Sequence, residues 1–235
     1  MRDRNHLLAS LHPADRDRLA PELQPVVLAV RNELELRGDD VEWIYFPSSG
    51  IASVIAESSG GHRVETGIVG VEGMTGTGVT QGDLRAAQTI VVQIEGEAYR
   101  MPARRLRDLL AASATLRERL LLFARAFAIQ MAHTALANGA GLLEQRLARW
   151  LLMLHDRVDG DTLAITHDYI ATMLSVRRPG VSVALKVLEE QGLTRVNRGS
   201  IAILDRRGLI EKAAGLYGQT EEEYRRLLNW TSPRA

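Results

Sequence analysis

The stretch that decides the fold is residues 163–204, LAITHDYIATMLSVRRPGVSVALKVLEEQGLTRVNRGSIAIL. Thr166 stands where a helix N-cap belongs, before a helix predicted over residues 167–174. A second helix is predicted to begin near Pro179, whose missing N–H is harmless in a first helical turn, and Gly192 ends it as a C′ residue. Two helices joined by so short a turn predict a helix-turn-helix.

A β-hairpin follows the second helix directly. Residues 194–196 and 201–204 contain alternating apolar side chains and are separated by the turn-forming segment 197–200. A hairpin in this place is the wing of a winged helix, in which the second helix enters the major groove and presents its N-terminal residues to base edges.

The side chains predicted to face DNA are those on the open side of the second helix and the positions that flank it. They are Thr166, His167, Arg177, Arg178, Pro179, Ser182, Val183, Lys186, Arg198 and Ser200. Among them, Arg178 is assigned to guanine, and Pro179 and Val183 are limited to apolar contact. Phosphate contacts are assigned to Thr166, Arg177, Ser182 and Arg198.

The charge balance requires any nucleic-acid contact to come from a local patch. The chain has 29 basic and 29 acidic residues, so its formal net charge is zero. Residues 166–207 contain seven Arg or Lys and four Asp or Glu, a local excess of three positive charges. Two alternatives stay open: the arginine pair is a solvated surface feature, or the winged helix contacts protein instead of DNA.

The first half of the chain has a different pattern of apolar and turn-forming residues. Residues 6–23 predict short helices, and Gly/Ser turns then separate a series of short apolar runs. The strands are predicted at 41–46, 51–56, 64–69, 89–94 and 98–101. This spacing indicates an antiparallel sandwich or barrel of about 75 residues.

A long helix without Gly or Pro is predicted over residues 115–137, after a short helix at 103–112. Leu116, Leu120, Phe123 and Phe127 are spaced four, three, four, as in a coiled-coil seam, and are predicted to form a dimer interface. The alternative is an ordinary helix buried against the β domain. We therefore predict a sensor-like domain at 1–112, a dimerisation helix at 113–138 and a DNA-binding domain at 139–235.

This order of parts resembles the Crp/Fnr family of bacterial transcription regulators. The residues that carry the resemblance are VGVEGM at 69–74, EQRLARWL at 144–151, and 163–193. It implies an α+β fold with an N-terminal antiparallel β-roll (a jelly roll like the cyclic-nucleotide-binding domain), a long central dimerisation helix and a C-terminal winged helix-turn-helix. It also implies a homodimer that binds a palindromic operator in double-stranded DNA, with RNA polymerase as a further partner.

The resemblance also raises the question of an effector. Family members that sense cyclic AMP hold its phosphate with a Gly-Glu turn and an Arg-Ser/Thr pair. The matching effector-binding candidates in this sequence are Gly70, Glu72, Gly73, Met74, Arg85 and Ala86. Because Ala86 lacks the hydroxyl, we expect no response to cyclic AMP, and a different small-molecule effector or none.

Other chemistries find little support in the sequence. The chain contains no cysteine, which excludes a Cys-ligated iron–sulfur cluster, and we expect no cofactor and no catalysis. A cupin-like metal enzyme built on His62 and Glu65 is the competing hypothesis, although one His and one Glu fall short of a usual ligand set. With no apolar stretch of about 20 residues and no signal-peptide core, a cytoplasmic protein without membrane contact is predicted.

Overall fold

The structure is a computed structural model that describes residues 4–234. Residues 1–3 of the predicted sensor-like domain and residue 235 of the predicted DNA-binding domain lie outside the described residues. The chain begins with two short helices and a 3-10 turn: α1 (His6–Ala9), α2 (Pro13–Leu19) and Ala20–Glu22. The side chain of Asn5 caps α1, and Pro13 occupies the first turn of α2, where a missing N–H costs nothing.

Seven strands then form two antiparallel sheets. They are β1 (Gln24–Leu28), β2 (Glu33–Glu35), β3 (Trp43–Pro47), β4 (Ile51–Glu57), β5 (Arg63–Val69), β6 (Thr89–Ile94) and β7 (Gly96–Pro102), with helix α3 (Thr77–Thr80) after β5. The sheet orders are β1-β7-β3 and β2-β6-β4-β5. All five predicted strands are confirmed within two residues at each end.

Strands β1 and β2 were not predicted. Strand β1 contains Pro25 and leaves most of its side chains exposed, which an edge strand tolerates because one row of its N–H groups has no partner strand. Strand β2 has three residues, and a register shift interrupts its pairing with β6 between Glu33 and Glu35. Neither strand therefore carries the alternating apolar signal.

The helical half begins with α4 (Ala103–Ala112), α5 (Ala114–Ala140) and α6 (Leu143–His155). Helix α5 continues through Asn138 and Gly139 to Ala140, and the extended residue Gly141 is its C-cap. Its predicted end at 137 is therefore three residues early, while the predicted division into domains stays a prediction.

The winged helix follows as predicted. It consists of β8 (Thr162–Leu163), α7 (His167–Met173), α8 (Arg178–Glu190), β9 (Thr194–Asn197), β10 (Ser200–Ile203) and α9 (Arg206–Lys212). The three strands pair in the order β8-β10-β9. A final helix, α10 (Gln219–Leu228), follows the winged helix in sequence and packs against α5.

The predicted dimer seam lies inside the chain's own core. Leu116, Leu120 and Phe123 are fully buried in the single chain, and Phe127 is 3% exposed. These side chains join the interior of the roll together with Tyr224 of α10. A side chain that its own chain covers cannot contact a second chain, so the alternative of a helix buried against the β domain is correct for these four residues.

Helix α5 is long and apolar enough to cross a membrane by length and composition alone. The core helix of a soluble protein passes the same test, and the seam residues of α5 are buried among side chains of the roll. The apolar character of α5 therefore has an explanation within the fold.

Candidate nucleic-acid interface

Local capping signals position the two helices of the motif. The Thr166 hydroxyl accepts a hydrogen bond from the backbone N–H of Tyr169 at 3.3 Å, which begins α7 as predicted. Pro179 lies in the first turn of α8, and Gly192 takes the left-handed conformation (φ +72°) that ends the helix. On the inner side, Val181, Ala184, Leu185 and Leu188 are buried in the core of the winged helix.

The outer side of α8 presents the predicted contact residues together. Arg178, Pro179, Ser182, Val183 and Lys186 are all exposed, and their spacing of three and four residues places them on one face. Val183 is 62% exposed, so its methyl groups are free to make the apolar contact assigned to it. His167 of α7 joins this face because its Nδ1 lies 3.1 Å from the hydroxyl of Ser182.

Arg178 has a partner that the sequence reasoning missed. Its Nε lies 3.2 Å from Oδ1 of Asp168, and both side chains are about two-thirds exposed. A surface pair of this kind contributes at most about 1 kcal/mol, so it orients the guanidinium without preventing DNA from taking it. No sequence signal joined Asp168 to Arg178, since an acidic residue in a first helical turn is common anyway.

The wing is attached to α8 by a specific hydrogen bond. Oε1 of Glu189 accepts from the backbone N–H of Val196 at 2.9 Å, which fixes β9 beside the helix. Gly199 turns the hairpin with φ +79°, and Arg198 is exposed beside it, with Ser200 half-buried at the start of β10. Arg195 on β9 is also exposed and adds a positive charge that the sequence analysis did not assign.

The predicted effector residues do not come together. Met74, Arg85 and Ala86 line a cavity in the roll, whereas Gly70, Glu72 and Gly73 lie where the roll meets α5 and the residues after α6. A Cβ on Gly73 would overlap the Phe123 ring, so this glycine permits a close helix approach instead of a phosphate cradle.

Glu72 is engaged in a buried ion pair and cannot grip a ribose hydroxyl. Its Oε1 accepts from Nε of Arg157 at 2.8 Å, and both side chains are at most 1% exposed. Burial lowers the pKa of Arg157, but Glu72, Tyr224 and Asp156 together more than compensate, so the pKa lies above its ordinary value. The rings of Tyr224 and Trp230 lie 5.9 and 5.2 Å from the guanidinium carbon.

Glu65 makes a second buried connection between the roll and the winged-helix half. Its Oε1 accepts from the indole N–H of Trp150 on α6 at 2.6 Å, and its Oε2 accepts from the Ser53 hydroxyl at 2.6 Å. Burial raises the pKa of Glu65 to about 7, although both hydrogen bonds act to lower it.

This arrangement separates the two residues of the cupin-like hypothesis. His62 is exposed in the loop before β5, whereas Glu65 is buried and bonded to Trp150. Within residues 4–234, no group of three or more His, Asp or Glu side chains is placed to hold a metal ion. The predicted metal alternative therefore lacks a ligand set in the described chain.

Comparison with known proteins agrees with this architecture. Residues 145–212 match the model of the Crp-like helix-turn-helix domain. No curated protein matches the sequence significantly. Solved structures with similar folds include a putative Crp/Fnr-family regulator from Eubacterium rectale, with 19% identity, a TM-score of 0.69 and coverage of 89% of this chain and 98% of that one.

Two further structures have the same fold. FixK2 from Bradyrhizobium japonicum is 16% identical, with a TM-score of 0.67 and coverage of 80% of this chain and 96% of its own. The c-di-GMP-responsive global regulator CLP from Xanthomonas campestris is 17% identical, with a TM-score of 0.63 and coverage of 83% and 100%. The resemblance to the Crp/Fnr family is therefore confirmed: the chain combines a Crp-like helix-turn-helix domain with the fold of the family's solved members.

Proposed function

We propose that the protein is a cytoplasmic transcription regulator that binds a palindromic operator in double-stranded DNA as a homodimer, without catalysis. The observation that carries the proposal is the outer face of α8, where Arg178, Ser182 and Lys186 are exposed beside the wing. Such a helix fits the major groove, and the exposed Arg198 of the wing is placed to contact phosphates.

The base-reading part of the proposal assigns a guanine to Arg178. A bidentate contact to O6 and N7 contributes about 1–3 kcal/mol of discrimination, whereas Pro179 and Val183 suit a thymine methyl and cannot accept from a cytosine amine. The preferred half-site therefore keeps one guanine and differs beside it from the operator of family members that place a glutamate there.

A randomised-site selection with Arg178→Ala tests this assignment. Preference should relax at one base pair per half-site, while Arg207→Ala, a change to an arginine that is 90% exposed on α9 and outside the proposed interface, should leave preference unchanged. Equal base preferences for Arg178→Ala and the parent would refute the assignment. If the parent protein does not retard the DNA upstream of its own gene in a mobility-shift assay, the alternative of a winged helix that contacts protein is favoured.

The homodimer requires a surface other than the predicted seam, and α5 supplies one. On its exposed side, α5 carries one face of residues spaced four, four, three and four apart: Leu121, Arg125, Ile129, Ala132 and Leu136. Leu121 is 40% exposed and Leu136 is 51% exposed, and Ile129 is partly exposed. A helix that is apolar on two sides buries both, so we assign this second face to another copy of the chain.

Charge placed on this face should separate the subunits. Leu136→Asp should give monomers in sedimentation and lower operator affinity, whereas Leu204→Asp, at a leucine 49% exposed after the wing, should stay dimeric. An intact dimer for Leu136→Asp combined with Ile129→Asp would place the interface elsewhere.

We further expect the protein not to respond to cyclic AMP. Glu72 is held by Arg157, and the exposed Arg85 donates from Nε to the Gly38 carbonyl at 3.0 Å. Neither side chain is therefore arranged to hold a ribose or a cyclic phosphate, and Ala86 supplies no hydroxyl. As a regulator, the protein is also expected to contact RNA polymerase.

A further inference from the structure

The roll contains a cavity of about 230 Å³ that opens between the loop after α3 and helix α5. Much of its lining is apolar, including Val54, Val69, Ile90 and Phe127. The exposed residues Gln81, Asp83, Arg85 and Ala87 mark its open side. The volume is below the usual range for drug-sized ligands, about 300–1,000 Å³, so the cavity suits a smaller molecule.

A carboxyl group lies inside this cavity. Oε1 of Glu35, on β2, is buried and has no hydrogen-bond partner. The Thr75 hydroxyl and the backbone N–H of Gly76 bond to the same carboxyl, but burial outweighs them and raises its pKa to about 7. A buried acceptor left without a donor costs free energy, which a ligand carrying a donor would recover.

The other charged residues that line the cavity are Asp83 and Arg85, both exposed. Arg85 bonds to the Gly38 carbonyl through its Nε, and the backbone N–H of Arg85 is taken by Asp83 at 2.9 Å. The inner charge of the cavity is therefore negative whenever Glu35 is ionised. An anionic ligand would have to approach the Glu35 carboxylate, whereas a cation would pair with it.

We propose that this cavity binds a small, predominantly apolar amine, whose ammonium group pairs with Glu35 while its hydrocarbon part contacts the apolar lining. Helix α5 contributes Ala124, Phe127, Ala128 and Met131 to the lining. An occupied cavity thus contacts the same helix whose other side is assigned to the dimer. The role of this ligand as an effector rests on the proposed regulator function, but its binding does not.

Three probes of one size and different charge test the proposal: benzylamine, benzyl alcohol and benzoate, titrated into the full-length protein by calorimetry or saturation-transfer NMR. Benzylamine should bind at least tenfold more tightly than benzoate. Its affinity should rise about tenfold from pH 6 to pH 8, because Glu35 ionises across this range while an alkyl amine stays protonated. The affinity of benzyl alcohol should change far less with pH.

Two matched variants assign the effect to one carboxyl. Glu35→Gln should weaken benzylamine at pH 8 at least tenfold and keep benzyl alcohol within about threefold, which also shows that the cavity is intact. Glu33→Gln alters an exposed carboxyl on the same strand and should behave as the parent. Equal binding of benzoate, no benzylamine binding, or unchanged benzylamine affinity in Glu35→Gln would each overturn the proposal. If Glu35→Gln fails to fold, the pH dependence of the parent decides. None of these ligand-binding results decides whether the protein binds DNA, which the operator experiments test separately.

Discussion

Replacing Glu65 with glutamine should change how the free energy of unfolding depends on pH. Glu65 is 5% exposed and lies between the roll and α6. Burial raises its pKa from 4.5 to about 7, against the lowering effects of the hydrogen bonds from Ser53 and Trp150. The folded protein therefore binds this proton more tightly than the unfolded chain does.

The sign and size of the effect follow from this difference. Below about pH 4.5 both states hold the proton, and the raised pKa adds no pH dependence. As pH rises from about 4.5 to 7, the folded state must give up a proton that it favours, so stability falls. A difference of about 2.5 pKa units corresponds to a loss on the order of 3 kcal/mol above pH 7.

Urea denaturation between pH 5 and pH 8 measures this change. Glutamine at position 65 is neutral at every pH, keeps an acceptor for Trp150 and directs an amide toward the Ser53 hydroxyl. Glu65→Gln should therefore match the parent near pH 5 and exceed its stability at pH 8 by about 2–3 kcal/mol. Glu97→Gln, an exposed glutamate on β7, should keep the parent's pH profile.

A local signal identifies the group that titrates. The indole N–H resonance of Trp150 should shift with a midpoint near pH 7 in the parent and stay constant in Glu65→Gln. If the pH profiles of Glu65→Gln and the parent coincide, or if the variant is less stable at pH 8, a charged Glu65 does not oppose folding and the reasoning is wrong.

Further substitutions and a ligand titration test the core, the wing and the effector response. Phe123→Asp should unfold the chain instead of producing a folded monomer, because it places a charge in the core at a cost above about 3 kcal/mol; a folded monomer would contradict this. Glu72→Gln should destabilise by about 3–5 kcal/mol by leaving the buried Arg157 charge unpaired, and a change under 1 kcal/mol in urea melts would count against the pair. Arg198→Ala should weaken binding to all operator sequences alike and lower the salt slope by about one; a loss confined to one sequence would reassign it to base reading. Calorimetry with cyclic AMP should give no saturable isotherm in the micromolar range, and a clear isotherm would refute the effector argument.

The winged helix was predictable because its signals are local. The Thr166 cap, Pro179 at the helix start and the glycines at 192 and 199 each specify a backbone conformation within a few residues. The prediction of the contact face of α8 needed nothing more than helical periodicity. Asp168 was missed since its pairing with Arg178 depends on how α7 and α8 cross.

The errors arose where a pattern has two readings or where the partner is distant in sequence. The spacing of Leu116, Leu120 and Phe123 identified a buried helix face correctly, but periodicity does not distinguish burial against the roll from burial against a second chain. Likewise, the sequence suggested that the Glu72 carboxylate is free to bind a ligand, whereas in the fold it pairs with Arg157, 85 residues away. Pairings of this kind require the tertiary structure.

The position of α10 has a consequence for how the protein is made. Tyr224, Leu228 and Trp230 belong to the same core cluster as the interior of the roll, although the whole winged helix separates them in sequence. During synthesis the N-terminal half emerges first, yet its core stays open until residues 219–230 have left the ribosome. The core residues of the winged helix, the last of which is Ala213, have by then already left the ribosome. If translation stopped before α10, the polypeptide would contain the whole recognition helix but would lack part of the roll core. Cellular quality control is expected to remove such a chain.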